Sequence, residues 1–207
     1  MIDFAPLLKI LPIFVLGLVS PGPDFMIVSS ISLSRGRAHG IQAALGITTG
    51  VLFYYTLGLF GVAALLKQAL WLAVSIKILG GSYLVYLGVT AWRSTFAGGG
   101  ETQPAKTVKA RNAYLSGLLT NLTNPKAIAY FTSIFALALT AETNLPTKAA
   151  LIAMAGVLPL AWFSLVATVL SRPAMRARYQ RARKAIDRIA GSIMILFGIK
   201  LVSSAAD

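Results

Sequence analysis

Residues 40–66 run without one charged side chain. A helix needs roughly 20 apolar residues to cross the hydrocarbon core of a bilayer. This stretch is therefore long enough to span, and it constrains the fold more than any other feature. Five further apolar segments accompany it, at about residues 7–33, 70–92, 114–140, 149–171 and 186–203. The first is broken at Pro21–Pro23. The third holds only Lys77 and the fourth only Lys126. The last has Asp187 and Arg188 at one end and Lys200 near the other. A composition of 57% hydrophobic and 12% charged residues, with mean hydropathy +0.75, excludes an ordinary soluble domain. The expectation is an all-α membrane protein of six transmembrane helices, with helices one and four broken. The N-terminus resembles a signal peptide, but its apolar core runs into PGPD instead of a small-residue cleavage site. It is expected to be a retained first helix.

The net charge of +13 then has a location. Arg35 and Arg37 lie between the first two segments. Arg93, Lys106, Lys109 and Arg111 lie between the third and fourth. Arg172, Arg176, Arg178, Arg181, Arg183, Lys184 and Arg188 lie between the fifth and sixth or at the edge of the sixth. These are 13 of the 19 basic residues, all on alternate loops, whereas the opposite loops hold only Lys67 and Lys148. Cytoplasmic loops of membrane proteins concentrate Lys and Arg. With an even number of spans, both termini are expected outside and the three basic loops in the cytoplasm of a bacterial inner membrane. Anionic lipid headgroups are the expected partner of this charge, at about 1 kcal/mol per basic residue near the surface, and nucleic acid is not.

A polar, glycine-rich linker at about residues 98–111 divides the single domain, 1–207, into halves of about 1–97 and 112–207. Gly81 opens GSYLVYLG and Gly191 opens GSIMILFG, 110 residues on, each in the last helix of its half. Gly17 opens GLVSPGPD and Gly117 opens GLLTNLTNPK, each running from Gly-Leu into a proline break. A duplicated three-helix unit is expected. Its odd number of spans turns the copies over, giving a 3+3 inverted repeat; chance likeness between apolar segments is the alternative.

The stretch SPGPD is out of place in so apolar a run. Pro21 and Pro23, spaced by Gly22, remove backbone donors and push their predecessors out of helical geometry. Loose backbone at membrane depth is tolerated where protein or a hydrated cavity satisfies it. A half-helix restarting after Pro23 would present free N–H groups that attract anions; a packing kink without ligand is the bland alternative. Asp24 favours function, because a carboxylate at the centre of a membrane helix costs about 2.5–3.5 kcal/mol. The fourth segment repeats the device with opposite charge. Pro125 breaks it, Asn121, Thr123 and Asn124 can satisfy freed backbone groups, and Lys126 follows. Asp24 and Lys126 form either a structural ion pair or a match to a zwitterion, Asp24 facing an α-ammonium and Lys126 with a half-helix N-terminus facing an α-carboxylate. A carboxylate so placed also offers a way to exchange a proton for an amino acid.

Lys77 and, at the 110-residue offset, Asp187 either snorkel to the interface or serve as a gate or relay. Gly46, Gly50, Gly58, Gly61, Gly80, Gly81 and Gly88 suit close helix contact, within the chain or in a homodimer. Pro159 is expected to kink the fifth helix, and Trp162 lies either in the core or along a cavity. No cofactor or metal is expected: there is no cysteine, no metal-ligand spacing and no phosphate-binding Walker loop. The sole histidine, His39, sits in a basic loop, so no enzyme is expected. An ion channel would need a continuous polar pore, and few polar residues align along any one helix.

The motifs SPGPDFMIVSS, SRGR, GITTGV, GLLTNLTNPKAIAYF, AWFSLV, MRARYQRARKAIDRIAG and FGIKL together resemble the lysine exporter (LysE) superfamily and, within it, the threonine/homoserine efflux (RhtB-type) branch. The resemblance covers nearly the whole chain. It implies six helices, an inner-membrane location and proton-driven export of amino acids, threonine at the level of the branch. At the residue level it carries Pro21, Gly22, Pro23 and Asp24, and Asn124, Pro125 and Lys126. Other amino-acid classes, basic or branched-chain, and a facilitator without proton coupling are the alternatives.

Overall fold

The structure, a computed structural model, describes residues 1–20, 22–62, 70–96, 112–124, 126–127, 130–131, 143–170 and 172–203. These are helical apart from short connections. In chain order the elements are α1 (Phe4–Val19), α2 (Pro23–Arg35), α3 (Arg37–Thr56) continuing as a π-helical stretch (Leu57–Val62), α4 (Leu70–Phe96), α5 (Ala113–Leu122), α6 (Leu145–Leu165) with a second π-helical stretch (Val166–Leu170), and α7 (Pro173–Ser203). Each of the six apolar segments is helical where it is described, except at Ser20 and Gly22 in the first and at Thr123 and Asn124 in the fourth. Pro21, Pro125 and the linker at 98–111 lie outside the described residues.

The sequence fixes several helix ends by local chemistry. Asp3 caps α1 by accepting from the Ala5 N–H at 2.9 Å. Asn144 caps α6 by accepting from Thr147 N–H at 2.9 Å, and Asn112 does the same for α5 with Leu115. Thr147 in turn accepts from the Asp3 N–H at 2.8 Å, fastening the starts of α1 and α6 together. Between α2 and α3 the chain turns on Gly36 alone, at φ 87°, a conformation that suits glycine.

The 24-residue stretch Arg37–Phe60 and the 25-residue stretch Leu145–Val169 are each long and apolar enough to cross a membrane. Helices α1 and α2 form a third such span if their junction, bent by 48°, is counted as one broken crossing. Large apolar side chains on the outside, including Leu8, Phe53, Leu79, Tyr86, Val157 and Leu196, stay exposed. Such a belt is consistent with a multi-pass membrane protein and unlike a soluble surface.

Helix α3 lies at the centre, against α2, α5 and α6. Small residues allow this. A Cβ on Gly46 would strike the backbone carbonyl of Tyr114, and one on Gly117 would strike that of Ala43. Helix α4 packs along α7. There a Cβ on Gly88 would lie 2.5 Å from the Gly191 carbonyl oxygen, and one on Gly191 would lie 2.7 Å from that of Gly88. Gly81 and Gly198 stand in the same relation, at 2.7 and 2.6 Å. The secondary contacts match as well: Gly81 faces Val202 where Gly191 faces Trp92, and Gly88 faces Ile195 where Gly198 faces Val85. These glycine faces are thus taken up within one chain.

Candidate functional site

The break between α1 and α2 exposes backbone that something must satisfy. Ser20 and Gly22 are extended. The Val19 carbonyl accepts from the Tyr179 hydroxyl at 2.9 Å, and the Ser20 carbonyl accepts from Lys126 Nζ at 3.0 Å. A cation thus meets the negative end of one half-helix, while Asp24 occupies the first turn of α2, at the positive end of the next. At the end of α5 the pattern recurs: the Leu122 carbonyl accepts from the Tyr54 hydroxyl at 2.8 Å. Beyond it, Asn124 Oδ1 accepts from the Lys126 backbone N–H at 3.0 Å.

Both charged residues line one partly open cavity. Gly22, Asp24, Asn121, Asn124 and Lys126 supply its polar part, together with Ser20. Phe14, Val51, Phe131 and Phe163 are among its apolar walls. Asn121 Nδ2 donates to Asp24 Oδ2 at 2.8 Å. Asp24 Oδ1 and Asn121 Oδ1 are buried acceptors without a hydrogen-bond donor among the described residues. A bare carboxylate oxygen of Asp24 and an ammonium bonded, among the described residues, to the Ser20 carbonyl define what the cavity can take up.

Several expectations change in detail. Asp24 and Lys126 do not form a contact ion pair: among the described residues, the pair within 4.0 Å joins Arg183 to Asp187. The two charges interact across the cavity instead. Asn124 satisfies backbone at the break by accepting from the Lys126 N–H; the Thr123 hydroxyl donates at 2.7 Å to the Leu119 carbonyl, which already accepts the Thr123 N–H. The Asn121 side chain instead holds Asp24. Pro23 opens α2 on the exposed side, away from the lining. Asp187 is buried, 5% exposed, so it does not snorkel. Half-buried Lys77, on α4, is not among the lining residues. Trp162 faces a separate apolar cleft between α1 and α6, together with Val15, Leu158 and Leu165.

The aromatic walls carry no sequence signal, since a phenylalanine on an apolar helix looks the same in a core and along a cavity. Two glycines make room for the site. A Cβ on Gly17 would strike the ring of Tyr130, whose hydroxyl donates to the Ile13 carbonyl. One on Gly50 would lie 2.5 Å from Asn121 Oδ1.

A family model described as LysE type translocator matches residues 15–205. The threonine efflux protein of Escherichia coli strain K12 is 38% identical over 200 residues, covering 95% of this chain and 97% of the relative. The threonine efflux protein of Salmonella typhi is 35% identical over 195 residues, covering 93% and 95%. An uncharacterized membrane protein of Haemophilus influenzae is 32% identical over 200 residues, covering 95% of each. No solved structure matches.

Proposed function

The chain belongs to the LysE type translocator family, and from that premise we propose that it exports a small neutral amino acid, L-threonine or homoserine first, across the bacterial inner membrane in exchange for protons. The observation that carries the proposal is the pairing of unfilled groups across one cavity. Asp24 Oδ1 lacks a donor among the described residues, so a substrate ammonium fits it. Lys126 spends one N–H on the Ser20 carbonyl, so a carboxylate fits the rest, aided by the free N–H groups opening α2. Asp24 and Lys126 are the charged groups among the lining residues. A lysine-like side chain would therefore stay unpaired, which favours neutral substrates. The apolar walls also admit a branched-chain side chain, and competition between threonine and leucine separates the two.

Six crossings with both termini outside and a 3+3 inverted repeat complete the proposal. The contact between α4 and α7 supports the repeat, because each of its glycine contacts recurs with the partners exchanged at an offset of 110 residues. A two-fold axis does this to a self-complementary interface. Pro21 and Pro125 enter as the chain breaks that free backbone for the site. Moving a net-neutral zwitterion against its gradient needs coupling to a charge, since the membrane potential supplies about 2.3 kcal/mol per charge per 100 mV. Asp24 is the group to carry that proton when its ammonium partner has left. Proteoliposomes loaded with L-threonine and given an inward proton gradient are expected to release it faster than gradient-free vesicles. Equal rates would leave a facilitator.

A further inference from the structure

We propose that Arg183 and Asp187 hold a second, weaker subsite for the same zwitterion, on α7 beside the central cavity. The inference rests on the proposal that the central cavity binds an amino acid. Arg183 Nε and Asp187 Oδ2 stand 3.6 Å apart, with side chains 17% and 7% exposed. That is a long, single contact. It leaves the other guanidinium N–H groups without a protein partner among the described residues, whereas a bidentate arginine–carboxylate pair is the strong geometry. Both residues lie on one helix four positions apart, so their bond joins no two elements and clamps nothing. Their order, cation before anion, is also the less favourable one along a helix. A buried carboxylate kept on such terms has little structural reason to be there.

Its surroundings point to the transport route. Asp187 lies close enough to Lys126 for their charges to interact. One turn before Arg183, Tyr179 stacks on Phe25 with ring centroids 4.7 Å apart, and Phe25 lines the central cavity. The Tyr179 hydroxyl holds the Val19 carbonyl at the break. Tyr179, one turn nearer the basic loop than Arg183, thus joins the start of α7 to Phe25 and to the break beside the central cavity. Guanidinium and carboxylate repeat the complement of charges offered by Lys126 and Asp24. A zwitterion entering from the basic-loop side would pass Tyr179, open the 3.6 Å contact, and take Arg183 with its carboxylate and Asp187 with its ammonium beside the cavity.

Saturation binding of radiolabelled L-threonine to purified protein in lipid nanodiscs tests this. Two molecules per wild-type chain are expected, the weaker one lost in Arg183→Gln and Asp187→Asn and the tighter one lost in Asp24→Asn. In oriented proteoliposomes, Asp187→Asn is expected to raise KM at least fivefold from the basic-loop face and to leave KM from the other face unchanged. One threonine per wild-type chain, lost in Asp24→Asn and kept in Asp187→Asn, would overturn the second subsite and leave the central one standing. An equal change of KM from both faces would overturn it too, as the mark of a structural pair. No threonine bound by the wild type would overturn both. The wild-type stoichiometry decides the matter alone where a variant does not fold.

Discussion

At the scale of single residues, the two charges of the cavity are given different ends of the substrate, and that difference can be measured. Loss of a hydrogen bond to a charged group costs about 1.5–3 kcal/mol, or roughly 10- to 150-fold in affinity. Lys126→Met is expected to weaken L-threonine by that factor and to leave L-threoninol, which lacks the carboxylate, unchanged. Asp24→Asn is expected to weaken both and to abolish the dependence of export on the proton gradient. Competition binding in detergent separates these outcomes; equal losses for both ligands in Lys126→Met would refute the carboxylate assignment. Gly50→Ala makes a subtler case. A Cβ there would crowd Asn121 at Oδ1, Cβ and Cγ, and Asn121 is what holds Asp24. A rise in the dissociation constant for threonine is expected while the melting temperature changes little. Asp24 and Lys126 were legible in the sequence because a charge in an apolar helix is costly and conspicuous. Phe14, Phe131 and Phe163 were not, since an apolar side chain next to apolar neighbours does not announce which side faces a void. Gly50 stood out only as a small residue, and its bearing on Asn121 depends on how α3 meets α5.

At the scale of elements, proline chemistry located the break in the first span, but the 48° between α1 and α2 is set by what the halves pack against. The glycines of α4 and α7 were legible as a repeat, whereas a bare helix face does not name its partner, and the pairing of those two faces emerged only in three dimensions. Their contact is backbone to backbone. In lipid, such close approach stands in for the hydrophobic effect, since lipid tails are as apolar as the helices they surround. Gly88→Val would force its branch against the Gly191 carbonyl. Overpacking of this kind costs about 1–3 kcal/mol, so thermal unfolding in micelles is expected to shift down by several degrees. Gly156 of α6 is the control. Among the described residues a Cβ there meets the end of the Leu52 side chain alone, Cδ2 at 3.6 Å and Cδ1 at 4.0 Å, and alanine is the better helix former by about 1 kcal/mol. Gly156→Ala is expected to hold or raise the melting temperature. A matching loss at Gly156 and at Gly88 would mean that glycine flexibility, and not close packing, sets the stability of these helices.

At the scale of the whole molecule, charge and length together set how the chain sits in the bilayer. Helix α7 has 31 residues, about 46 Å at 1.5 Å per residue, against a hydrocarbon core of about 30 Å. An upright α7 therefore exceeds that core by roughly ten residues, and its basic N-terminal end is the part suited to the headgroup region. Arg178, Arg181 and Lys184, all exposed, fall at this end, where anionic headgroups would meet them. The opposite end of the protein is where Asp3 and Thr147 tie the starts of α1 and α6 together, and it is poor in basic residues. With the six crossings proposed above, Ile2 and Arg181 are expected on opposite sides of the membrane. Because the chain has no cysteine, Ile2→Cys and Arg181→Cys each introduce one thiol on an untouched background. A membrane-impermeant maleimide added to intact cells is expected to label the first, and to label the second only after the membrane is opened. Labelling of both from outside would break the even number of crossings. Reversed labelling would keep that number but invert the orientation, placing the Arg183–Asp187 end outside and turning the route proposed through Tyr179 from an entrance into an exit.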